Sequence, residues 1–271
     1  IGNARIRINF ELFGGLVLVF ILMLELKDKL LAKSELKEGR AIQTRLLPDP
    51  SPRIPGWEVW LFSLPANDVG GDLIDFIHLQ GDRYRLILGD VSGKGLSAAL
   101  LMVKLQAVIR AFIDDADSLS VLGERVNRVF HRDGIASSFA TMAILDIRSG
   151  SGQLSLLNAG HTPPLIIRSG RVEALGKGDP ALGLFAEAEF HPVAEELGVD
   201  DTILVYSDGI NEARNEEGEC FGNARLFALL ETHARLDCAG LGALILQNVR
   251  DFSGSVRSDD DQTLLIARRK F

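Results

Sequence analysis

An apolar run, Tyr84 to Leu88, passes directly into Gly89-Asp90-Val91-Ser92-Gly93-Lys94-Gly95, and a second apolar run starts at Leu96. These residues predict a strand, then a glycine-rich acidic loop, then a helix. A carboxylate at a strand end, beside glycines that let backbone approach a ligand closely, is suited to holding a metal ion. A phosphate-cradling loop would instead need G-x-x-x-x-G-K-[ST]. Here Gly89 to Gly93 is one residue short, and Gly95 stands where a hydroxyl is required. Asp90 would also repel phosphate, since two like charges about 4 Å apart at an effective dielectric of about 20 cost roughly 4 kcal/mol. The stretch reads as a metal loop.

The chain has 271 residues, 46% of them hydrophobic and 24% charged, enough for one large core or one domain with an appendage. Its net charge of -8, with no long basic run, argues against nucleic-acid binding, which rests on Lys and Arg neutralising phosphates. Two cysteines, Cys220 and Cys238, make no disulfide framework and suit a reducing, cytoplasmic compartment. With no initiator Met and no signal-peptide layout, the expectation is a piece of a longer protein, such as the cytoplasmic part of a membrane-anchored sensor.

Residues 1–47 read as a separate helical linker. No proline occurs from Phe10 to Arg40, and Leu12, Leu16, Val19, Met23, Leu26 and Leu30 alternate spacings of four and three, a coiled-coil seam. The apolar run Leu12 to Leu24 is too short to span a bilayer, which takes about 20 residues, unless it is the end of a longer segment. A helix apolar all round predicts pairing with a second copy. Pro48, Pro50, Pro52 and Pro55 then mark a boundary, and residues 48–271 form the main domain.

Within that domain Trp57–Leu64, Leu73–Leu79, Tyr84–Leu88, Phe139–Ile147, Gln153–Asn158, Pro164–Ile167, Thr202–Tyr206 and Thr263–Ala267 read as strands. Helical spacing appears over Leu96–Ile113, over Leu119 to Phe130 and over Leu241 to Val249. Strands and helices in separate blocks predict an α+β fold, antiparallel sheets covered by helices. The helix after the metal loop carries Leu100, Leu101, Val103, Leu105 and Val108, more apolar surface than one sheet face needs. Part of it is expected to meet the N-terminal helix or a second subunit.

Four acidic positions are expected at strand ends or in tight turns: Asp72 with Asp75, Asp90, Asp208, and the run Asp259-Asp260-Asp261. Singly, each is an ordinary turn residue. Together, carboxylates without interspersed His or Cys suit Mg²⁺ or Mn²⁺. Two such ions about 3.5–4 Å apart can ionise a water and stabilise displacement at phosphorus.

The motifs resemble those of the metal-dependent protein serine/threonine phosphatases (PPM, or type 2C), in their bacterial SpoIIE/RsbU branch. They run in family order: Ala41-Ile42-Gln43 with Leu46-Leu47-Pro48, Val69-Gly70-Gly71-Asp72, Gly89-Asp90-Val91-Ser92-Gly93-Lys94-Gly95 and Ala98-Ala99-Leu100-Leu101-Met102. Phe139-Ala140-Thr141, Asn158-Ala159-Gly160-His161, Ser207-Asp208-Gly209 with Glu212-Ala213-Arg214-Asn215, Gly218-Glu219 with Phe221-Gly222, and Asp260-Asp261-Gln262-Thr263-Leu264 follow. The resemblance implies two antiparallel sheets packed face to face with helices on both outer faces. It implies two Mn²⁺ or Mg²⁺ ions: Asp90 bridging both with the Val91 carbonyl beside it, Asp72 on one ion, Asp208 and Asp260 on the other. Asp261 is the fallback for Asp260, Asp75 is structural, and catalysis is expected to depend on Asp90 and Asp208. The implied substrate is a phosphoserine or phosphothreonine on a STAS-domain anti-sigma-factor antagonist, with regulation through a homodimer of the N-terminal helix.

The pattern departs from the eukaryotic members, which carry a His shortly after the bridging Asp; here Val91, Ser92 and Gly93 follow. His161 is the substitute by titration range, though its segment reads more naturally as a structural turn. No Arg is clearly placed to clamp a phosphate, and Lys94 either attracts it or is solvated. A cysteine-dependent phosphatase needs Cys-x5-Arg, and Cys220 to Arg225 is one residue too short. The non-enzymatic rival is a degenerate phosphatase fold kept as a binding module.

Overall fold

The computed structural model describes residues 10–133 and 138–271, with side chains from Gly14 onward. The chain divides into two compact units between Arg45 and Leu46. The first is built on one helix, α1 (Phe10–Leu46), which stops before Pro48 because proline has no N–H to continue it. Leu16, Val19, Met23, Leu26 and Leu30 are each 53–64% exposed, as are Leu18 and Phe20 on other faces of the helix. The side chain of Leu12, the first seam position, lies outside the described residues. Among the described residues no helix is long and apolar enough to cross a membrane.

The second unit runs β1 (Trp57–Leu64), β2 (Asp72–His78), β3 (Arg83–Val91), α2 (Leu96–Phe112), α3 (Leu119–Arg132), β4 (Ala140–Arg148), β5 (Gln153–Ala159), β6 (Leu165–Arg168) and β7 (Arg171–Ala174). It continues with β8 (Val193–Glu196), β9 (Thr202–Tyr206), α4 (Asp208–Asn211), α5 (Gly222–Thr232), α6 (Cys238–Ser253) and β10 (Gln262–Arg269). The strands form two five-stranded antiparallel sheets, ordered β1-β10-β9-β6-β7 and β2-β3-β4-β5-β8.

Alternation along the strands sorts side chains into three layers. Leu86 and Leu88 of β3 meet Leu61, Val205 and Leu265 between the sheets. Ile87, on the opposite face, joins Leu105 and Ile109 of α2 and Leu122 and Val126 of α3. Outside the other sheet, Leu204 and Ile266 pack on Leu226 of α5 and Leu241 and Ile245 of α6. Strands buried on both faces read as unbroken apolar runs, which is why they were evident in the sequence. Ser118 caps α3 by accepting from the Val121 N–H, and Asp237 caps α6 by accepting from Gly240.

Several expectations change. β7, β8, α4 and α5 carry no clear periodic signal; β7 and β8 are short, polar edge strands. β3 does not stop at Leu88 but continues through Asp90 to Val91, because Asp90 is paired on one side with Asp72 and on the other with Thr141. Asp75 is not at a strand end but inside β2, fully buried. Leu101 and Leu105 of α2 are buried in one cluster with α3 and the sheet, while Leu100 stays 62% exposed.

Candidate active site

The register of β2 against β3 sets Asp72 directly opposite Asp90. From the other sheet, β9 ends at Tyr206 and α4 begins at Asp208, while the residues before β10 supply Asp260. The two sheets thus deliver carboxylates to one basin from four chain segments. Their charges act on one another. Burial, then the charges of Asp208, Asp260 and Asp261, push the Asp90 carboxyl up to about 7. Burial and the Asp90 charge hold Asp72 well above the usual carboxylate range, and burial with the Asp260 charge raises Asp208.

Asp72 Oδ2 is buried with no hydrogen-bond partner. A buried carboxylate oxygen facing other carboxylates is costly unless a cation meets it. The donor set is all oxygen, as Mg²⁺ and Mn²⁺ prefer. Val91 closes β3, and its carbonyl oxygen faces Gly71: a Cβ there would lie 3.1 Å away. These residues fit hard divalent cations. Among the described residues, however, no group of three or more His, Cys, Asp or Glu side chains is drawn together into a ready-made ion cage. The carboxylates instead form an open basin in which each feels the charge of the others.

The acidic triplet separates by burial. Asp260 is half-exposed, accepts from the Asp261 N–H at 3.0 Å and faces Lys94 Nζ at 3.4 Å. Asp261 is buried and its carboxylate accepts from the backbone N–H groups of Ala66 (2.8 Å), Gly71 (2.7 Å) and Asp72 (3.2 Å). Its carbonyl accepts from Ser207 Oγ at 3.0 Å. Asp261 therefore ties together the strand start that carries Asp72, the turn that carries Asp208 and its own neighbour Asp260. Asp261→Ala is expected to cost about 2–4 kcal/mol in chemical denaturation, because it leaves several backbone donors unsatisfied at a buried site. A Cβ at Gly209 would overlap the Asp261 carbonyl oxygen, which belongs to rigid backbone. Gly209→Ala is expected to destabilise by at least about 2 kcal/mol, measured the same way.

Asp75 lies away from the basin. Arg110 Nε and Nη2 grip it at 2.8 and 2.7 Å, and Gln106 Nε2 donates at 3.1 Å, fastening α2 to β2. His161 is buried, with Nδ1 2.9 Å from Thr141 Oγ1; its backbone is bracketed by the Asn158 side chain at 2.8 and 3.1 Å. Burial pushes its imidazole down to about 4, so near pH 7 it is the neutral ring and not the imidazolium a general acid needs. That geometry is a structural turn. Lys94 spends its ammonium on the Asp259 carbonyl at 2.6 Å and on Asp260. Cys220 and Cys238 are both unpaired thiols, and burial followed by the Glu58 charge pushes Cys238 up to about 12.

Residues 80–270 match the family model described as Stage II sporulation protein E (SpoIIE). The chain belongs to the SpoIIE family. It is 28% identical to Protein IcfG of Synechocystis over 90% of this chain and 43% of that protein. It is 27% identical to phosphoserine phosphatase RsbP of Bacillus subtilis over 88% of this chain and 58% of RsbP. It thus spans about half the length of these curated relatives. The crystal structure of the RsbU and RsbW domains of a Mycobacterium tuberculosis protein superposes with a TM-score of 0.71 at 30% identity, covering 81% of this chain and 61% of that one. The SpoIIE match contains Asp90, Asp208 and Asp260 but begins after Asp72, which the β2–β3 register brings to the same basin.

Two basic residues stand at the site's edge without a role assigned from the sequence: Arg214 lies inside the Glu212-Ala213-Arg214-Asn215 motif, and Arg257 lies outside every motif. Arg257 stands shortly before the acidic triplet and Arg214 shortly after Asp208.

Proposed function

We propose that this SpoIIE-family chain is a metal-dependent protein serine/threonine phosphatase that hydrolyses phosphoserine or phosphothreonine. The observation that carries the reading is the convergence of Asp72, Asp90, Asp208 and Asp260, whose charges act on one another around an unpartnered buried oxygen. Asp90, with the Val91 carbonyl beside it, would be shared between two Mn²⁺ or Mg²⁺ ions; Asp72 would serve one, Asp208 and Asp260 the other. When bound, such a pair supplies an ionised water nucleophile and neutralises phosphoryl charge. Asp90, at its fixed register between Asp72 and Thr141, orients both halves of the site. Asp261 holds the three acidic segments at their spacing. No side chain would form a covalent intermediate: the nucleophile is a water, burial holds the Cys238 thiol protonated, Cys220 lacks the Cys-x5-Arg loop, and His161 is buried and neutral. The binding-module alternative is not favoured, because every carboxylate of the set is retained. Hydrolysis of p-nitrophenyl phosphate with and without Mn²⁺ tests the reaction; no turnover with saturating Mn²⁺ defeats it.

For the natural substrate, the motif resemblance supports a phosphorylated STAS-domain anti-sigma-factor antagonist, and the name of the relative RsbP, a phosphoserine phosphatase, agrees with a phosphoserine. A panel of phosphorylated STAS proteins set against unrelated phosphoproteins tests this; turnover of only the latter overturns it. The N-terminal helix would set activity through a homodimer, supported by the exposed apolar side chains of α1. Deleting residues 1–40 should give a monomer with a changed Mn²⁺ requirement. A dimer of unchanged requirement defeats the idea, as does a monomeric full-length chain.

A further inference from the structure

Beside the carboxylate basin lies a pocket of about 210 Å³ whose charged walls are Asp208, Glu212, Asp259 and Asp260 together with Lys94, Arg214 and Arg257. Lys94 is already engaged by Asp259 and Asp260. The two arginines are not engaged in that way. Arg214 gives one Nη to the Gly218 carbonyl at 2.9 Å, and Arg257 gives one Nη to the Ala66 carbonyl at 2.6 Å. Among the described residues neither guanidinium is paired with a carboxylate. Other arginines of this chain are: Arg83 and Arg85 grip Asp146, Arg110 grips Asp75, and Arg168 meets Glu173, Glu195 and Asp201.

A neutral carbonyl orients a guanidinium without cancelling its charge. Arg carries five N–H donors in a rigid fork, so one bond to a carbonyl leaves most of the fork to meet an oxyanion. Placement adds to this. Arg214 follows the short helix that begins with Asp208, and Arg257 precedes Asp260 in the same loop. Each cation is thus held on the segment that delivers one of the carboxylates. The four carboxylates of the walls outnumber the three cations until divalent ions take up Asp208 and Asp260; Lys94, Arg214 and Arg257 then face only Glu212 and Asp259, and the pocket favours an anion.

We propose that Arg214 and Arg257 form an oxyanion clamp that takes the phosphoryl group of the substrate and, after hydrolysis, inorganic phosphate. The clamp rests on the phosphatase reading, since its preference for an anion needs cations on Asp208 and Asp260; phosphate binding followed by calorimetry in Mn²⁺ separates its failure from the failure of that reading. It supplies the phosphate-binding arginine that the motif pattern left unassigned, and it does so from two loops rather than one.

The test uses the full chain with saturating Mn²⁺. Inhibition of p-nitrophenyl phosphate hydrolysis by inorganic phosphate is measured for wild type, Arg214→Ala, Arg257→Ala and the two Arg→Lys variants. Phosphate binding and Mn²⁺ binding are followed separately by calorimetry. Each Ala variant is expected to raise the phosphate Ki and the substrate KM roughly tenfold or more, the size of a lost charge-assisted contact. Mn²⁺ affinity should stay within about twofold, and Lys should recover part of the loss. A merely structural arginine would lower melting temperature and Mn²⁺ affinity together and leave no selective change in Ki. Unchanged phosphate Ki in both Ala variants overturns the clamp, as does a raised KM for a phosphopeptide with an unchanged Ki, which would mark a subsite for the peptide. If an Ala variant does not fold, the Lys variant at that position carries the same comparison. A wild type that binds Mn²⁺ without hydrolysing anything defeats the phosphatase reading; calorimetric loss of phosphate binding in the variants then still decides the clamp.

Discussion

Asp90→Asn is expected to give a folded protein with hydrolysis reduced at least about 10³-fold at saturating Mn²⁺, since the charge stabilisation at stake is several kcal/mol and each 1.36 kcal/mol is tenfold in rate. The side chains are nearly isosteric, and β3 is held by backbone pairing with β2 and β4 on either side of residue 90. The fold therefore has little reason to change. In chelator the variant should be more stable than wild type, by on the order of 1–3 kcal/mol, because one member of a repelling cluster has lost its charge. That combination, stability up and activity gone, separates a functional carboxylate from a structural one. Asp75→Asn should behave oppositely, losing stability as the grip of Arg110 weakens. Steady-state rates with p-nitrophenyl phosphate and thermal unfolding in chelator check both arms. Full activity of Asp90→Asn in chelator would sink the two-metal reading.

Much of this site could be read before any coordinates, and the reasons are specific. Asp90 announces itself because an apolar strand feeds it and glycines follow. Asp208 is recognisable between the buried strand β9 and Gly209, where no side chain fits beside the Asp261 carbonyl. The choice between Asp260 and Asp261 is different. They are the same residue type in one run, and only contacts made far along the chain, by Ala66, Gly71 and Asp72, distinguish the buried tie from the half-exposed carboxylate. His161 illustrates the same limit, since its titration range in water says nothing about a ring buried behind Thr141. Arg214, though inside a motif, and Arg257, outside any, received no role for a third reason: a guanidinium is distinguished by the partners it lacks, and a linear sequence does not show partners. The edge strands β7 and β8 and the helix α5 were missed because periodicity marks burial, and these elements bury little. α5 contributes only Leu226 and Leu230 to the buried interior.

The metal-free protein is expected to lose, as pH rises from about 4 to about 7, stability that Asp90→Asn does not lose. Asp90 has a folded value of about 7 against about 3.9 in an unfolded chain. An acid raised on folding keeps its proton in the folded state through that window, so the folded state binds more protons and unfolding becomes easier as pH climbs. The contribution is fully present below about 4 and gone above about 7. At roughly 1.4 kcal/mol per unit, the ceiling for Asp90 alone is on the order of 4 kcal/mol, shared with Asp72 because the two carboxyls titrate together. His161 opposes this. Its folded value of about 4 lies below the usual 6.5, so below that value the unfolded chain takes up a proton the folded one refuses, and stability rises with pH between about 4 and 6.5. The two slopes partly cancel in a single pH scan. The difference between wild type and Asp90→Asn removes His161, which both share, and should fall steadily across the window. Divalent cations should act most strongly at the alkaline end, where the carboxylates are ionised and protons no longer compete; a cation at about 100 times its Kd adds roughly 2.7 kcal/mol. Melting temperatures of both proteins at pH 5 and pH 8, in chelator and in Mn²⁺, measure all of this. A difference that grows with pH in chelator would show that the carboxylates do not confront one another, and a Mn²⁺ stabilisation larger at pH 5 than at pH 8 would remove them as the cation's ligands.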